Sequence, residues 1–187
     1  MISKDIKEKN WEIVESEYLF KRPWLTARRD TVKMQNGNII PEFYVLEYPD
    51  WVNIIAITDD EKYVMIRQYR HGIQETRYEL CAGVVDPGED ALTAAKRELM
   101  EETGFGDGEW SKLMTISGNS STTNNMTHCF IAKGVHQIST QHLESSEDIS
   151  VCILTKDEVK ELLVDNEIVQ SLMLAPLWRY FAENHLL

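Results

Sequence analysis

The apolar positions of this chain change rhythm along its length, and each rhythm predicts an element. Residues 51–58 (WVNIIAIT) form a near-continuous apolar run, as expected of a strand covered on both faces. Asp59-Asp60-Glu61-Lys62 turns the chain, and residues 63–69 (YVMIRQY) follow as the partner strand. Residues 77–82 lead toward the helix at 91–103, residues 110–117 precede a Ser-, Thr- and Asn-rich loop at 118–125, and further strands are predicted at 126–132 and 149–154. Upstream, Asn36-Gly37-Asn38 separates two strand-like stretches, 28–35 and 41–48, which is a hairpin signal. Residues 1–48 thus read as a small β-rich unit that cannot bury a core alone and must pack on the main domain or on a second subunit. Pro49-Asp50 marks the boundary, leaving 49–187 as the main domain. Helical periodicity appears at 91–103, 156–164 and 168–185, the last bringing Leu172, Leu174, Leu177 and Phe181 near one another.

The helix at 91–103 organises the rest. Asp90 is placed to cap its start and Gly104 to stop it. Glu98, Glu101 and Glu102 are three and four positions apart, so they share a face. With Glu98 at zero and about 100° per residue, Glu102 falls near about 40° and Glu101 near about −60°. On the same scale Ala91, Ala94 and Ala95 fall near about 20°, −40° and 60°, while Lys96 and Met100 point the other way. The acids therefore stand on the side of the small residues. A solvated acidic face, the ordinary reading of a charge run, would place them opposite. Like charges on a partly inward face cost repulsion and desolvation, which hard divalent cations with oxygen ligands relieve. Arg97, one turn before Glu101, is placed to orient it. Ahead of the helix, Gly83 and the Asp86-Pro87-Gly88 turn allow close backbone approach and carry Glu89 over it.

Composition narrows the possibilities. A formal net charge of −12 disfavours a nucleic-acid or anionic-membrane surface but not a phosphate substrate held through cations. Cys81, Cys129 and Cys152 lack metal or CxxC spacing and read as reduced core residues. The five histidines show no metal spacing, and Ser120 and Ser121 sit in no nucleophile elbow. The first residues are too polar for a signal peptide and no apolar run reaches membrane-spanning length, so a cytoplasmic enzyme is expected.

Gly83, Glu89, Arg97-Glu98-Leu99, Glu101-Glu102 and Gly104-Phe105 together resemble the signature box of the Nudix hydrolases at every defined position. The resemblance implies an α/β/α sandwich with a mixed sheet, here preceded by the small antiparallel β unit. It also implies a metal-dependent hydrolase of a diphosphate linked to another group. Arg67-Gln68-Tyr69-Arg70, Glu79-Leu80-Cys81-Ala82-Gly83 and Glu147-Asp148-Ile149-Ser150-Val151 resemble the ADP-ribose and ADP-sugar pyrophosphatase branch. That likeness implies cleavage of ADP-ribose to AMP and ribose 5-phosphate, with Mg²⁺ as cofactor (Mn²⁺ a possible substitute), in a homodimer completed by the N-terminal unit. It further implies Glu98 and Glu102 as principal metal ligands, with Glu101, Glu147 and the Ala82 carbonyl beside them. Arg70 is implied at the diphosphate, Glu79 near the base or terminal ribose, and Trp24 and Arg29 at the adenine.

Two departures bear on these expectations. The loop Ser117-Gly118-Asn119-Ser120-Ser121 lacks the Pro-Gly pair common in the ADP-ribose enzymes. Ser145 stands where the branch carries its proposed general base, with Glu144 next to it, so the base stays open among Glu144, Glu147 and a box carboxylate. Other readings are a hydrolase of GDP-mannose or of a dinucleoside polyphosphate, and a non-catalytic ADP-ribose-binding regulator. The intact acids favour catalysis over the regulator.

Overall fold

The structure is a computed structural model that describes residues 10–187. It divides into two compact units. One comprises the described residues through Tyr48 together with Asn119–Asn125; the other comprises Pro49–Gly118 and Met126–Leu187.

The first unit is an antiparallel meander of β1 (Glu12–Arg22), β2 (Leu25–Lys33) and β3 (Ile39–Glu47), in that order across the sheet. The β2–β3 connection is the expected hairpin: Gly37 takes a φ of 87°, and the Asn36 side chain accepts from the Asn38 amide at 3.0 Å. β1 was not expected, and it is exposed at every position. The buried positions of this sheet lie on β2, at Asp30 and Val32. Asp30 is satisfied by Ser16 Oγ at 2.5 Å and Arg28 Nε at 3.0 Å, as a buried carboxylate must be. The loop Asn119–Asn125 closes on β3, where the Leu46 amide donates to the Thr122 carbonyl at 2.7 Å.

The second unit carries a mixed sheet of β10 (Ile149–Leu154), β5 (Tyr63–Arg70), β6 (Glu75–Val84), β4 (Trp51–Thr58), β9 (Thr127–Gln137) and β7 (Phe105–Gly106), in that order, with β8 (Glu109–Ile116) paired to β9. β4 and β9 run parallel and the other pairs antiparallel; β5 also reaches β4. The apolar run of β4 is buried on both faces because alternate side chains enter different cores. Ile55 and Ile57 pack with α2 (Lys156–Val164) and α3 (Ser171–Glu183), against Val159, Leu163, Leu177 and Phe181. Val52, Ile54 and Ala56 pack on the other side with α1 (Ala91–Thr103), against Ala94, Ala95 and Leu99. Helices thus cover both faces, and the α/β/α sandwich with a mixed sheet is the observed architecture. Among the described residues no helix is long and apolar enough to cross a membrane.

α3 is shorter than the predicted 168–185 and holds Pro176 in its interior. Proline has no N–H, so the carbonyl one turn earlier, that of Leu172, loses its helical donor. Asn53 of β4 supplies the replacement: its Nδ2 donates to the Leu172 oxygen at 2.7 Å.

Candidate active site

α1 is fixed at both ends before any chemistry enters. Asp90 accepts from the Leu92 and Thr93 amides at 3.0 and 3.2 Å. Gly104 takes a φ of 76° and donates its amide to the Met100 carbonyl; a Cβ there would strike the Ser139 carbonyl. With the ends set, the expected rotation holds. Ala94, Ala95 and Leu99 are buried, and with them Glu98 and Glu102, which are 9% and 3% exposed. Glu101 is half-exposed and Lys96 exposed.

Arg97 joins the acids into one network. Its Nε and Nη2 donate to the two oxygens of Glu89 at 3.1 and 2.9 Å, a bidentate pair. Its Nη1 reaches Glu98 at 2.9 Å and Glu101 at 3.1 Å, and Nη2 also donates to the Val84 carbonyl at 2.9 Å. Glu89 holds the Arg97 guanidinium firmly in its charged form, and Arg97 in turn pulls the Glu89 carboxyl below its usual range. Arg97 therefore orients three carboxylates, not Glu101 alone.

Gly83 adjoins Glu98 so closely that a Cβ would overlap its carboxyl, which is why no larger residue stands there. Glu102 accepts from the Ala82 amide at 3.0 Å. Burial pushes the Glu102 carboxyl up to about 8, and the charges of Glu98 and Glu147 act in the same direction. Burial also raises Glu98, with Arg97 opposing and Glu101 and Glu147 adding to the rise. The Cys81 thiol, fully buried beside Glu102, is raised by burial first and then by that carboxylate.

The loop after β9 delivers Glu147 to this group. The Gln141 side chain donates to the Glu102 carbonyl at 2.7 Å and the His142 amide to the Glu101 carbonyl at 2.8 Å, tying the loop to the end of α1. Glu147 accepts from the Glu144 amide at 2.9 Å. The Glu144 and Ser145 side chains are exposed. No hydrogen bond or ion pair engages the Glu144 carboxylate among the described residues.

Arg70 and Glu79 meet across neighbouring strands as a bidentate pair, at 2.8 and 2.5 Å. Glu79 is 2% exposed, and its hydrogen bonds are the first cause holding Arg70 charged; the charges of Glu79 and Glu102 add to it. Trp24 and Arg29 lie in the other unit. Trp24 is 79% exposed in the β1–β2 turn, and Arg29 pairs with Glu17 at 2.6 Å and Glu42 at 3.3 Å.

The second unit thus brings together Glu89, Arg97, Glu98, Glu101, Glu102, Gly83, Ala82, Glu147 and the Arg70–Glu79 pair. The donor set suits a hard divalent cation in kind: oxygen ligands, two of them on carboxyls that burial and like charge disfavour ionising, over a glycine that leaves room. Among the described residues no three His, Cys, Asp or Glu side chains already converge in ligating geometry, Glu98 and Glu101 being turned to Arg97. Sequence reasoning missed Gln141 and Asn53. No local pattern marks Gln141, whereas Pro176 does announce a carbonyl in need of a donor.

Comparison with known proteins identifies the family. The family described as NUDIX domain matches residues 48–173, and the family described as Nucleoside diphosphate sugar hydrolase N-terminal domain matches residues 11–46. A methanol dehydrogenase activator of Bacillus methanolicus is 28% identical over 159 residues, covering 84% of this chain and 85% of that protein. An ADP-ribose pyrophosphatase of Bacillus subtilis is 25% identical over 169 residues, covering 90% and 89% of the two chains. Among solved structures, an ADP compounds hydrolase superposes with a TM-score of 0.81 at 22% identity, over 99% of this chain and all of that one, a likeness of fold.

Proposed function

The chain belongs to the Nudix family of hydrolases, and from that premise we propose that it cleaves the diphosphate of a nucleoside diphosphate sugar, with ADP-ribose the leading candidate. Water would add to one phosphorus and the bridging P–O bond would break, giving AMP and ribose 5-phosphate. The observation that carries the reading is the buried pair Glu98 and Glu102 beside Gly83, with Arg97 holding Glu98, Glu101 and Glu89. The similarity to the ADP-ribose pyrophosphatase of Bacillus subtilis supports the substrate class.

Glu98, Glu102, Glu101 and Glu147, with the Ala82 carbonyl, would hold Mg²⁺, and Mn²⁺ could replace it. Bound there, the cation supplies positive charge against the diphosphate and acidifies water. Arg97 keeps the acids in register by fixing Glu98 and Glu101 from one guanidinium. Glu147 is the favoured proton acceptor, since Gln141 and His142 tie its loop to the end of α1, whereas Glu144 is exposed. Arg70, held in orientation by Glu79, would present its free edge to a phosphate oxygen. Trp24 and Arg29 are proposed to meet the base, and the exposed apolar residues of β1 to form a homodimer.

The test is Glu102→Gln assayed for phosphate-ester products from ADP-ribose with MgCl₂. The protein should fold and lose turnover by about a hundredfold or more. Retention of more than about a tenth of the rate would remove Glu102 from this role. A second reading rests on the Bacillus methanolicus relative: the chain would stimulate a methanol dehydrogenase. Adding the chain to that enzyme, with Glu102→Gln as control, distinguishes stimulation that needs hydrolysis from stimulation that does not.

A further inference from the structure

A cavity of about 250 Å³ opens beside the acids, between β4, β6 and the start of α3. Arg70, Ala82 and Gly83 form one side, next to the Glu98 and Glu102 cluster, and Asn53, Thr127 and Gln170 line it elsewhere. Two of its polar side chains carry an oxygen with no donor. Asn53 is 1% exposed, and its orientation is fixed because Nδ2 must serve the Leu172 carbonyl that Pro176 leaves without a donor. The Asn53 Oδ1 is then left buried with no hydrogen-bond partner, and so is the Gln170 Oε1. A buried acceptor without a donor costs about 1–3 kcal/mol, a penalty a ligand can remove. Gln170 is also the residue before α3: its carbonyl takes the Met173 and Leu174 amides at 2.9 and 3.0 Å, but its side chain makes no capping bond, which leaves the Ser171 and Leu172 amides of the first turn to other acceptors.

This combination selects among ligand groups. A phosphate would use the amides and repel the two side-chain oxygens, while an amino group would use the oxygens alone. A hydroxyl both donates and accepts. We propose that this cavity receives the hydroxyl-bearing sugar of the substrate, with Asn53 and Gln170 as specificity-determining residues that read its hydroxyls. The inference rests on the diphosphate-sugar reading above and names the residues that would recognise its sugar.

The experiment compares wild type with Gln170→Met and Asn53→Leu on two diphosphates, ADP-ribose and the methyl ester of ADP, which carries no sugar in that position. The ratio of kcat/KM for ADP-ribose to that for methyl-ADP should fall about tenfold in each variant, through KM. Gln170→Met removes no bond in the structure, so it carries the test should Asn53→Leu unfold once the Leu172 carbonyl loses its donor. Calorimetric titration with ribose 5-phosphate and with methyl phosphate supplies a readout independent of turnover, and the ratio of affinities should fall by a similar factor. If wild type hydrolyses neither diphosphate while ribose 5-phosphate binding still depends on Gln170, the hydrolysis reading fails and the sugar pocket stands. If turnover is normal but both ratios stay within about twofold of wild type, the two oxygens are served by ordinary water and the pocket proposal is overturned.

Discussion

The two sheets of this protein obey the same alternation yet differ in what covers them. β4 in the seven-stranded sheet is buried at six consecutive positions, because helices close both faces. β1 in the three-stranded sheet is exposed at all eleven of its positions, with Ile13, Val14, Tyr18 and Phe20 at least half exposed. The charges follow the same division. Around Arg97 they are buried or half-buried and bonded several times over, whereas Arg29, Glu17 and Glu42 pair in the open. The covered sheet fixes a geometry; the open one offers a surface that two copies of the chain could bury together.

The sharpest way to test that division is one alanine substitution on each side. Gly83→Ala sets a Cβ against the Glu98 carboxyl, so Glu98 must shift, and turnover should fall by about a hundredfold. Arg29→Ala breaks two exposed pairs and should change the melting temperature little, since such pairs contribute about 0–1 kcal/mol. Full turnover in Gly83→Ala, or a large fall in the melting temperature of Arg29→Ala, would erase the contrast. A coarser break comes from β1: Ile13→Ser with Phe20→Ser should convert a dimer to a monomer in light scattering. A wild-type monomer would remove the role proposed for that strand.

The acid cluster also sets a pH dependence that the open sheet lacks. Glu102 has an ordinary carboxyl value of 4.5 when unfolded and about 8 when folded. The folded chain therefore keeps a proton that the unfolded chain has released. The contribution is fully present below about pH 4.5 and is lost as pH rises through about 8. Without divalent metal, the melting temperature should decline across that window; Glu102→Gln should flatten the decline and MgCl₂ should oppose it. A melting temperature that rises over the same range without metal would mean that Glu102 is not buried as a neutral acid.

Much of the covered unit was legible in the sequence because its signals are local. The Asp90 cap, the Gly104 stop and the turn of Glu98 and Glu102 toward the alanines all follow from spacing within one helix. β1 was illegible for the converse reason: EIVESEYLFKR is exposed on both sides, so burial imposes no alternation to read. Gln141 and Asn53 were missed because their partners are the Glu102 and Leu172 carbonyls, the latter 119 positions away. Pro176 marks the Leu172 carbonyl as an acceptor but not the donor that serves it, and nothing marks the Glu102 carbonyl. The sequence also spaced Glu89 correctly within the box, but that it binds Arg97 with both oxygens depends on how the turn at Pro87 folds back.

A smaller effect than that of the acid cluster should come from α2, the least buried of the three helices. Only Val159 and Leu163 of its nine residues are buried, so packing holds it weakly and its cap matters more. Thr155 Oγ1 accepts from the Glu158 amide at 3.3 Å while Glu158 accepts from the Thr155 amide at 2.7 Å, a reciprocal capping box. Thr155→Ala removes the hydroxyl and should cost about 1 kcal/mol, or a drop of about 2–4 °C in melting temperature. Turnover should be unchanged, since neither Thr155 nor Glu158 belongs to the acid cluster or to the cavity beside it. A fall in turnover larger than the fall in stability would mean that α2 helps to hold α3, and through the Asn53–Leu172 bond the wall of the sugar pocket.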